Sequence, residues 1–266
     1  MADKRQLPFV LLLIMWITVS GCSLTSPGPR PVPVSRERMR AGIRLVTLGH
    51  SVQGRPLVMR VLGSGEKPVF IFGGIHGHEP TSAQLAEEML NFLLDNPRIW
   101  AGHSVAILPS ANPDGLVKRT RQNINGVDCN RNFAARNWKK GRPGHRYYGG
   151  PRPLSEPETR AIVRAVEMLQ PKAIISIHSM SAGKFCNNYD GPARELAGIM
   201  TRKNHYPVRA SIGYPTPGSF GSWAGVDLQI PTITLELPRE KSINEVWPAN
   251  RDAILAVIQS YERDNR

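Results

Sequence analysis

Apolar and polar positions alternate along two stretches, Ile43 to Leu48 and Leu57 to Leu62, joined by the polar segment His50-Ser51-Val52-Gln53-Gly54-Arg55. Alternation with β-branched residues on either side of a Gly-containing break predicts a hairpin. A short apolar run, Val69 to Phe72, predicts a buried strand. Behind Pro80 and Thr81, apolar residues recur at helical spacing (Leu85, Met89, Phe92, Leu93), which predicts a helix opening at that Pro. Ser104 to Leu108 and Ala173 to Ile177 are further strand-like runs. Between them, Ser155-Glu156-Pro157-Glu158 reads as a capping box ahead of a helix ending at Leu169. The pattern closes with a helix near Pro192 to Lys203, a strand from Pro231 to Leu235 and a helix from about Ile243 to Tyr261. Strands alternating with helices predict an α/β domain, a mostly parallel mixed sheet with helices on both faces.

The first residues follow a different pattern. Lys4 and Arg5 precede an apolar stretch from Leu7 to Val19 that is short for a membrane-spanning helix, and Val19-Ser20-Gly21-Cys22 follows. Small residues before a Cys resemble a bacterial lipoprotein processing site, with residues 1–21 as the signal peptide and Cys22 as the acylated residue. Ser23 rather than Asp at the next position implies sorting to the outer membrane, so the expected location is periplasmic and lipid-anchored. From Leu24 to Val34 large apolar residues are nearly absent and Pro27, Pro29, Pro31 and Pro33 alternate, which predicts an extended tether over residues 22–40. Residues 41–266 then form one catalytic-size domain.

The formal charge is +13, and +12 once residues 1–21, with Asp3, Lys4 and Arg5, are removed. Basic clusters with aromatics, Trp138-Lys139-Lys140-Gly141-Arg142 and Arg146-Tyr147-Tyr148, are able to grip phosphates. For an exported protein, an anionic envelope is the expected partner and nucleic acid is not; a solvated loop is the plain alternative. Cys129 and Cys186 are left as either a bridge or two buried thiols.

Candidate chemistry begins at Gly73-Gly74-Ile75-His76-Gly77-His78-Glu79-Pro80. Directly after a strand, His76 and Glu79 offer an imidazole and a carboxylate three residues apart, half of a zinc site that needs three protein ligands and one open position when catalytic. His178, at the close of the run Ala173-Ile174-Ile175-Ser176-Ile177, is the candidate third ligand. His78 is an internal rival to His76. A carboxylate, Glu236, ends the β-run Thr232-Ile233-Thr234-Leu235 with no basic neighbour before Arg239; a base and a structural salt bridge both fit such a residue. Ser179, Ser181 and Ser219 raise a serine-hydrolase alternative, but no Gly-x-Ser-x-Gly elbow is present.

Taken in order, the His76/Glu79 pair, Asn112-Pro113-Asp114-Gly115, Arg121, Val127-Asp128-Cys129-Asn130-Arg131-Asn132-Phe133, His178 and Thr232 to Glu236 resemble the zinc carboxypeptidases of the carboxypeptidase A type. The resemblance runs from about Ile43 to the C-terminus. It implies the three-layer fold of that family, one zinc ion per chain held by His76, Glu79 and His178, and hydrolysis of an amide bond next to a free carboxylate. It further implies Glu236 as the base that takes a proton from water, Arg121 as the donor to the developing oxyanion, and Asn130 with Arg131 as readers of the terminal carboxylate. Tyr214 matches more loosely an aromatic that closes over the substrate, and packing is its plain alternative. Within the family, the compact domain and the segments Asn187 to Pro192 and Tyr214 to Trp223 are similar to enzymes that cut the γ-D-glutamyl bond to diaminopimelate in peptidoglycan peptides. Those relatives are usually cytoplasmic, and the leader here departs from that. Asp190 is then placed to meet the distal ammonium of diaminopimelate. A general carboxypeptidase, an N-acyl amino acid deacylase and a catalytically dead wall-binding lipoprotein are the rival readings.

Overall fold

The structure is a computed structural model that describes residues 42–64, 67–181 and 183–261. The leader, Cys22 and the Pro-rich tether lie outside the described residues. The chain enters through strands β1 (Ile43–His50) and β2 (Pro56–Leu62), an antiparallel hairpin with Ile43 opposite Leu62. Then come β3 (Val69–Phe72), helix α1 (Pro80–Asp95), β4 (Val105–Leu108) and the short helix α2 (Pro113–Lys118). Helix α3 (Pro157–Leu169), β5 (Ala173–Met180), β6 (Cys186–Asp190), α4 (Arg194–Asn204), β7 (Val208–Arg209), β8 (Thr232–Pro238) and α5 (Ile243–Ser260) complete the order.

Among the described residues the strands form one sheet in the order β1-β2-β4-β3-β5-β8-β6-β7. Its centre, β4-β3-β5-β8, is parallel, and the hairpin and β6 join antiparallel. Four parallel strands need both faces covered, because their crossovers lay helices on each side. One apolar layer therefore joins Ile71, Ile175, Ile177, Ile233 and Leu235 to α1, α4 and α5. The other joins Phe70, Phe72, Ile174, Phe133, Phe220 and Trp223 to α3.

Strand pleating decides where chemistry is possible. In β5 and β8 the odd positions point into the layer of α1, α4 and α5, and the even positions point to the opposite face. On that face Ile174 is still core, whereas Ser176, His178, Thr234 and Glu236 are buried or half-buried polar residues. β6 extends the same rows, since Cys186 pairs with Glu236 and Asn188 with Thr234. Cys129 and Cys186 are both buried and unbridged, and burial raises both thiols, Cys186 to about 12.

The expected capping box before α3 does not form. Glu156, not Ser155, is the N-cap, and the Ser155 hydroxyl donates to the Glu156 carboxylate. Glu158 is drawn away by the Val52 N–H and the Asn123 amide. A capping box does form at α5, between Ser242 and Glu245. His178 and Glu236 also lie two residues inside their strands rather than at the last residue, because β5 and β8 continue as a pair to Met180 and Pro238.

Candidate active site and metal centre

The loop after β3 is shaped by close backbone packing. Gly74 has φ +69°, and a Cβ on Gly77 would lie 1.8 Å from the carbonyl carbon of Gly115. Glycine there lets the loop rest on α2. The Glu79 N–H donates to the His76 carbonyl at 3.1 Å, which folds the intervening residues into a turn and brings the two side chains together. Ser82 locks the turn, its hydroxyl accepting from Gly74 N–H at 3.0 Å and donating to Glu79 C=O at 2.6 Å. Pro80 opens α1, and the Glu79 carboxylate does not cap its own helix. It is free to point into the site.

There it meets both histidines. His76 Nδ1 is 3.2 Å from Glu79 Oε1, His178 Nδ1 is 3.2 Å from Glu79 Oε2, and the two Nδ1 atoms are 3.1 Å apart. All three residues are buried, and each offers one donor atom within 4.8 Å of the others. The opposite nitrogen of His76, Nε2, lies 3.1 Å from Asp128 Oδ1. An ionised carboxylate only accepts, so Nε2 carries the proton and Nδ1 presents its lone pair. Burial alone would raise Asp128, but the Arg121 guanidinium beside it, and then His76, hold it well below the usual carboxylate range. Burial likewise opposes ionisation of Glu79, and His76 and His178 outweigh it, so that carboxyl is lowered too.

Arg121 donates through Nε to Asp128 Oδ2 at 2.8 Å, which leaves Nη1 3.4 Å from His76 Nδ1 and 3.9 Å from Glu79 Oε1. Lys118 and Arg119 are exposed. Asn130 lies beside His178, its amide 3.4 Å from Nε2, and its carbonyl oxygen accepts from Phe220 N–H at 2.8 Å. An aromatic cluster anchors this segment: Phe133 stacks on Trp223 at 5.6 Å and meets Phe220 edge-on at 5.2 Å. Arg131, also buried, donates to the Asn130 carbonyl.

Glu236 stands across from His178 in the β5/β8 register, and its Oε2 is buried with no hydrogen-bond partner among the described residues. Burial pushes its carboxyl up to about 7, against the pull of His178. These residues line a cavity of about 410 Å³. One row further into the sheet, Ser176, Thr234 and Asn188 also line it, and Ser176 Oγ and Asn188 Oδ1 are again buried and unpartnered. Asp190 lies beyond them, with Asn188 Nδ2 donating to its Oδ2 at 3.3 Å, and burial raises it to about 6. A Cβ on Gly221 would lie 2.2 Å from Asp190 Oδ2, so glycine keeps that carboxylate clear.

Every site residue expected in the domain thus comes to one cavity. Tyr214 lines its mouth, 39% exposed, with its ring 6.3 Å from that of Tyr147. His78 is not a member of the converging triad; its Nε2 is 3.7 Å from Glu79 Oε1 and burial lowers it to about 4. Asp128 is a positioning residue that the motif contained but that spacing alone does not connect to His76. Arg146 and Tyr147, expected on an envelope-facing or solvated loop, are exposed and also line the cavity, with Arg121 and Arg131 at 5.2 and 5.3 Å from the Tyr147 ring centre.

The donor set fits zinc. Two imidazole nitrogens and a carboxylate converge, and all three residues line the cavity together with Glu236. Comparison with known proteins agrees. A family model for zinc carboxypeptidases matches residues 36–189, which contain the triad, Arg121, Asn130, Arg131 and Asp128; Tyr214 and Glu236 lie beyond the matched stretch. Murein peptide amidase A of Escherichia coli (strain K12) is 35% identical over 202 residues, covering 71% of this chain and 79% of its own length. Murein peptide amidase A of Vibrio campbellii is 31% identical over 236 residues, 84% of this chain and 90% of its own. The crystal structure of a murein-tripeptide amidase from Escherichia coli O157 superposes with a TM-score of 0.66 at 28% identity, covering 85% of this chain and 98% of that one.

Proposed function

Because this chain belongs to the zinc carboxypeptidase family, a family of metallopeptidases, we propose that it hydrolyses the amide bond between γ-D-glutamate and a diaminopimelate whose α-carboxylate is free, in peptidoglycan peptides. The observation that carries this reading is the floor of the cavity. Beyond the metal-ligand triad lie a raised, glycine-cleared Asp190 and the polar residues Ser176, Thr234 and Asn188. Such a floor is costly for an apolar side chain, which would leave those groups unsatisfied. It suits a side chain ending in a zwitterion, and diaminopimelate ends in one.

His76 Nδ1, Glu79 and His178 Nδ1 would hold the zinc ion, which would supply Lewis acidity to the scissile carbonyl and to water. Glu236, buried beside His178 with its carboxyl raised to about 7, takes a proton from the attacking water and returns it to the leaving amine. Arg121, braced by Asp128, directs Nη1 to where negative charge grows on the carbonyl oxygen. Arg131 and Asn130 hold the terminal carboxylate, and Tyr214 covers the mouth. Asp190 pairs with the distal ammonium.

The leader adds a location. Acylation at Cys22 and the Pro-rich tether would put this activity in the periplasm on a lipid anchor, at the outer membrane, acting on wall peptides during maturation. A second reading has one observation in its favour, because Asp190 would equally suit a C-terminal Lys or Arg and so a general metallocarboxypeptidase. Incubation of the soluble domain with L-Ala-γ-D-Glu-diaminopimelate and with peptides ending in Lys, with and without chelator, separates them. Chelator-sensitive release of diaminopimelate, detected by mass, is expected. Release of Lys alone would establish the second reading.

A further inference from the structure

Five cationic side chains line the cavity: Arg121, Arg131, Arg146, Lys184 and Arg239. Oxyanion stabilisation and terminal-carboxylate recognition use the first two. Arg239 is built into the site and has no role so far. Its N–H donates to the Met180 carbonyl at 2.8 Å, and its Nη2 donates to the Ser179 carbonyl at 2.6 Å while lying 3.4 Å from Glu79 Oε1. The guanidinium is thereby held against the end of β5, on the Glu79 side of the triad, whereas Asn130 lies beside His178. Only Nη2 of the side chain is engaged among the described residues. The side chain is 39% exposed, so Nε and Nη1 keep donors for a ligand in the cavity.

Arg131 places the leaving amino acid on the Asn130 side, so the acyl half of the substrate extends the other way, over the Glu79 side. Resting on the amidase reading above, we infer that Arg239 reads the free α-carboxylate of the γ-linked D-glutamate and so selects peptides in which that carboxylate is not amidated. In a γ-glutamyl residue the scissile carbonyl is separated from the α-carboxylate by two methylenes and the α-carbon, roughly 5 Å of chain. An ordinary α-peptide carries a neutral amide close to the carbonyl and no anion at that reach. A planar guanidinium held at one edge and open at another suits a carboxylate arriving from the cavity.

The test compares two peptides on one zinc-loaded preparation, L-Ala-γ-D-Glu-diaminopimelate and its counterpart with the D-glutamate α-carboxylate amidated. The ratio of their kcat/KM values is independent of how much enzyme carries metal, which matters because Arg239 touches Glu79. The parent protein should favour the carboxylate peptide about 10- to 100-fold. Arg239→Gln should bring the ratio close to one, chiefly by slowing the carboxylate peptide, and Arg239→Lys should restore part of it. Equal rates for the two peptides in the parent protein would overturn the inference and leave the amidase reading intact. A preference that survives Arg239→Gln would overturn the assignment to Arg239 and transfer it to Lys184 or Arg146. Failure to cut either peptide, with peptides ending in Lys still cut, would overturn the amidase reading and this inference with it.

Discussion

His178 and Glu236 occupy the same rung of the parallel pair β5/β8, side by side on the face that lines the cavity. The candidate metal ligand and the candidate base are thus held by backbone pairing rather than by loops. Glu236→Gln keeps the shape of the side chain but removes its charge and with it the base. Turnover should fall about a thousandfold with zinc content and substrate binding retained, as checked by metal analysis and a binding titration alongside kinetics. Near-normal turnover would place the base elsewhere.

His178→Ala removes one of three ligands and should abolish tight zinc binding. Asp128→Asn leaves the ligands in place but weakens the acceptor that fixes His76 Nε2 as the protonated nitrogen. Zinc affinity should drop about 10- to 100-fold, measured by competition with a chelating indicator.

Arg131→Ala should erase the discrimination between a free and an extended terminus. The parent protein should cut the tripeptide at least about tenfold faster than the same peptide extended by D-Ala on the L-centre carboxylate of diaminopimelate, because the extension turns an anion into a neutral acceptor in a buried site. Equal cleavage of the two by the parent protein would show that the terminus is not read.

Asp190 makes a prediction about stability as well as specificity. Its carboxyl is raised from 3.8 to about 6 by burial, so the folded state holds the proton more tightly than the unfolded chain. The resulting cost is absent below pH 4 and complete above pH 6, on the order of 2 to 3 kcal/mol. Asp190→Asn should therefore melt about 4 to 8 °C higher than the parent at pH 7.5, with the gap closing as pH falls through 6 to 4. It should also lose its preference for diaminopimelate over an uncharged residue. An unchanged melting temperature across that range would show the carboxylate to be solvated.

Cys22→Ala should abolish lipid labelling and release the protein from membranes without changing the specific activity of the folded domain. Metabolic labelling with a fatty acid, followed by fractionation, reads both. Labelling as strong as in the parent would mean that the processing site is elsewhere.

Much of this site is legible in the sequence. His76, Glu79 and His178 stand close to strand ends that the apolar runs mark, and a turn or strand delivers each directly. The hairpin, α1 and the central strands follow from periodicity for the same reason. What escaped depends on partners far along the chain. His76 and Asp128 are 52 residues apart, and nothing local shows that they touch. Arg146 and Tyr147 are exposed as their polarity implies, and their share in the cavity is set by how a long loop closes, not by any period. β6 carries no apolar strand signal because its middle is polar: Asn187 ties α4 through Asn204 at 3.0 Å, and Asn188 lines the cavity. Ser155 and Glu158 had the spacing of a capping box, but Asn123 and Val52 supplied Glu158 with other partners.

The two-residue repeat of β5 and β8 has a bearing on how such an enzyme changes its diet. Same-face neighbours along a strand are about 6.6 Å apart, so in the proposed reaction Ser176 and Thr234 would meet the far end of a substrate side chain while His178 and Glu236 would meet the bond that breaks. Exchanging the deeper pair alters what is admitted without disturbing the pair that acts. Selectivity and reactivity are therefore separately mutable, a modularity that comes from pleating rather than from any division into subdomains.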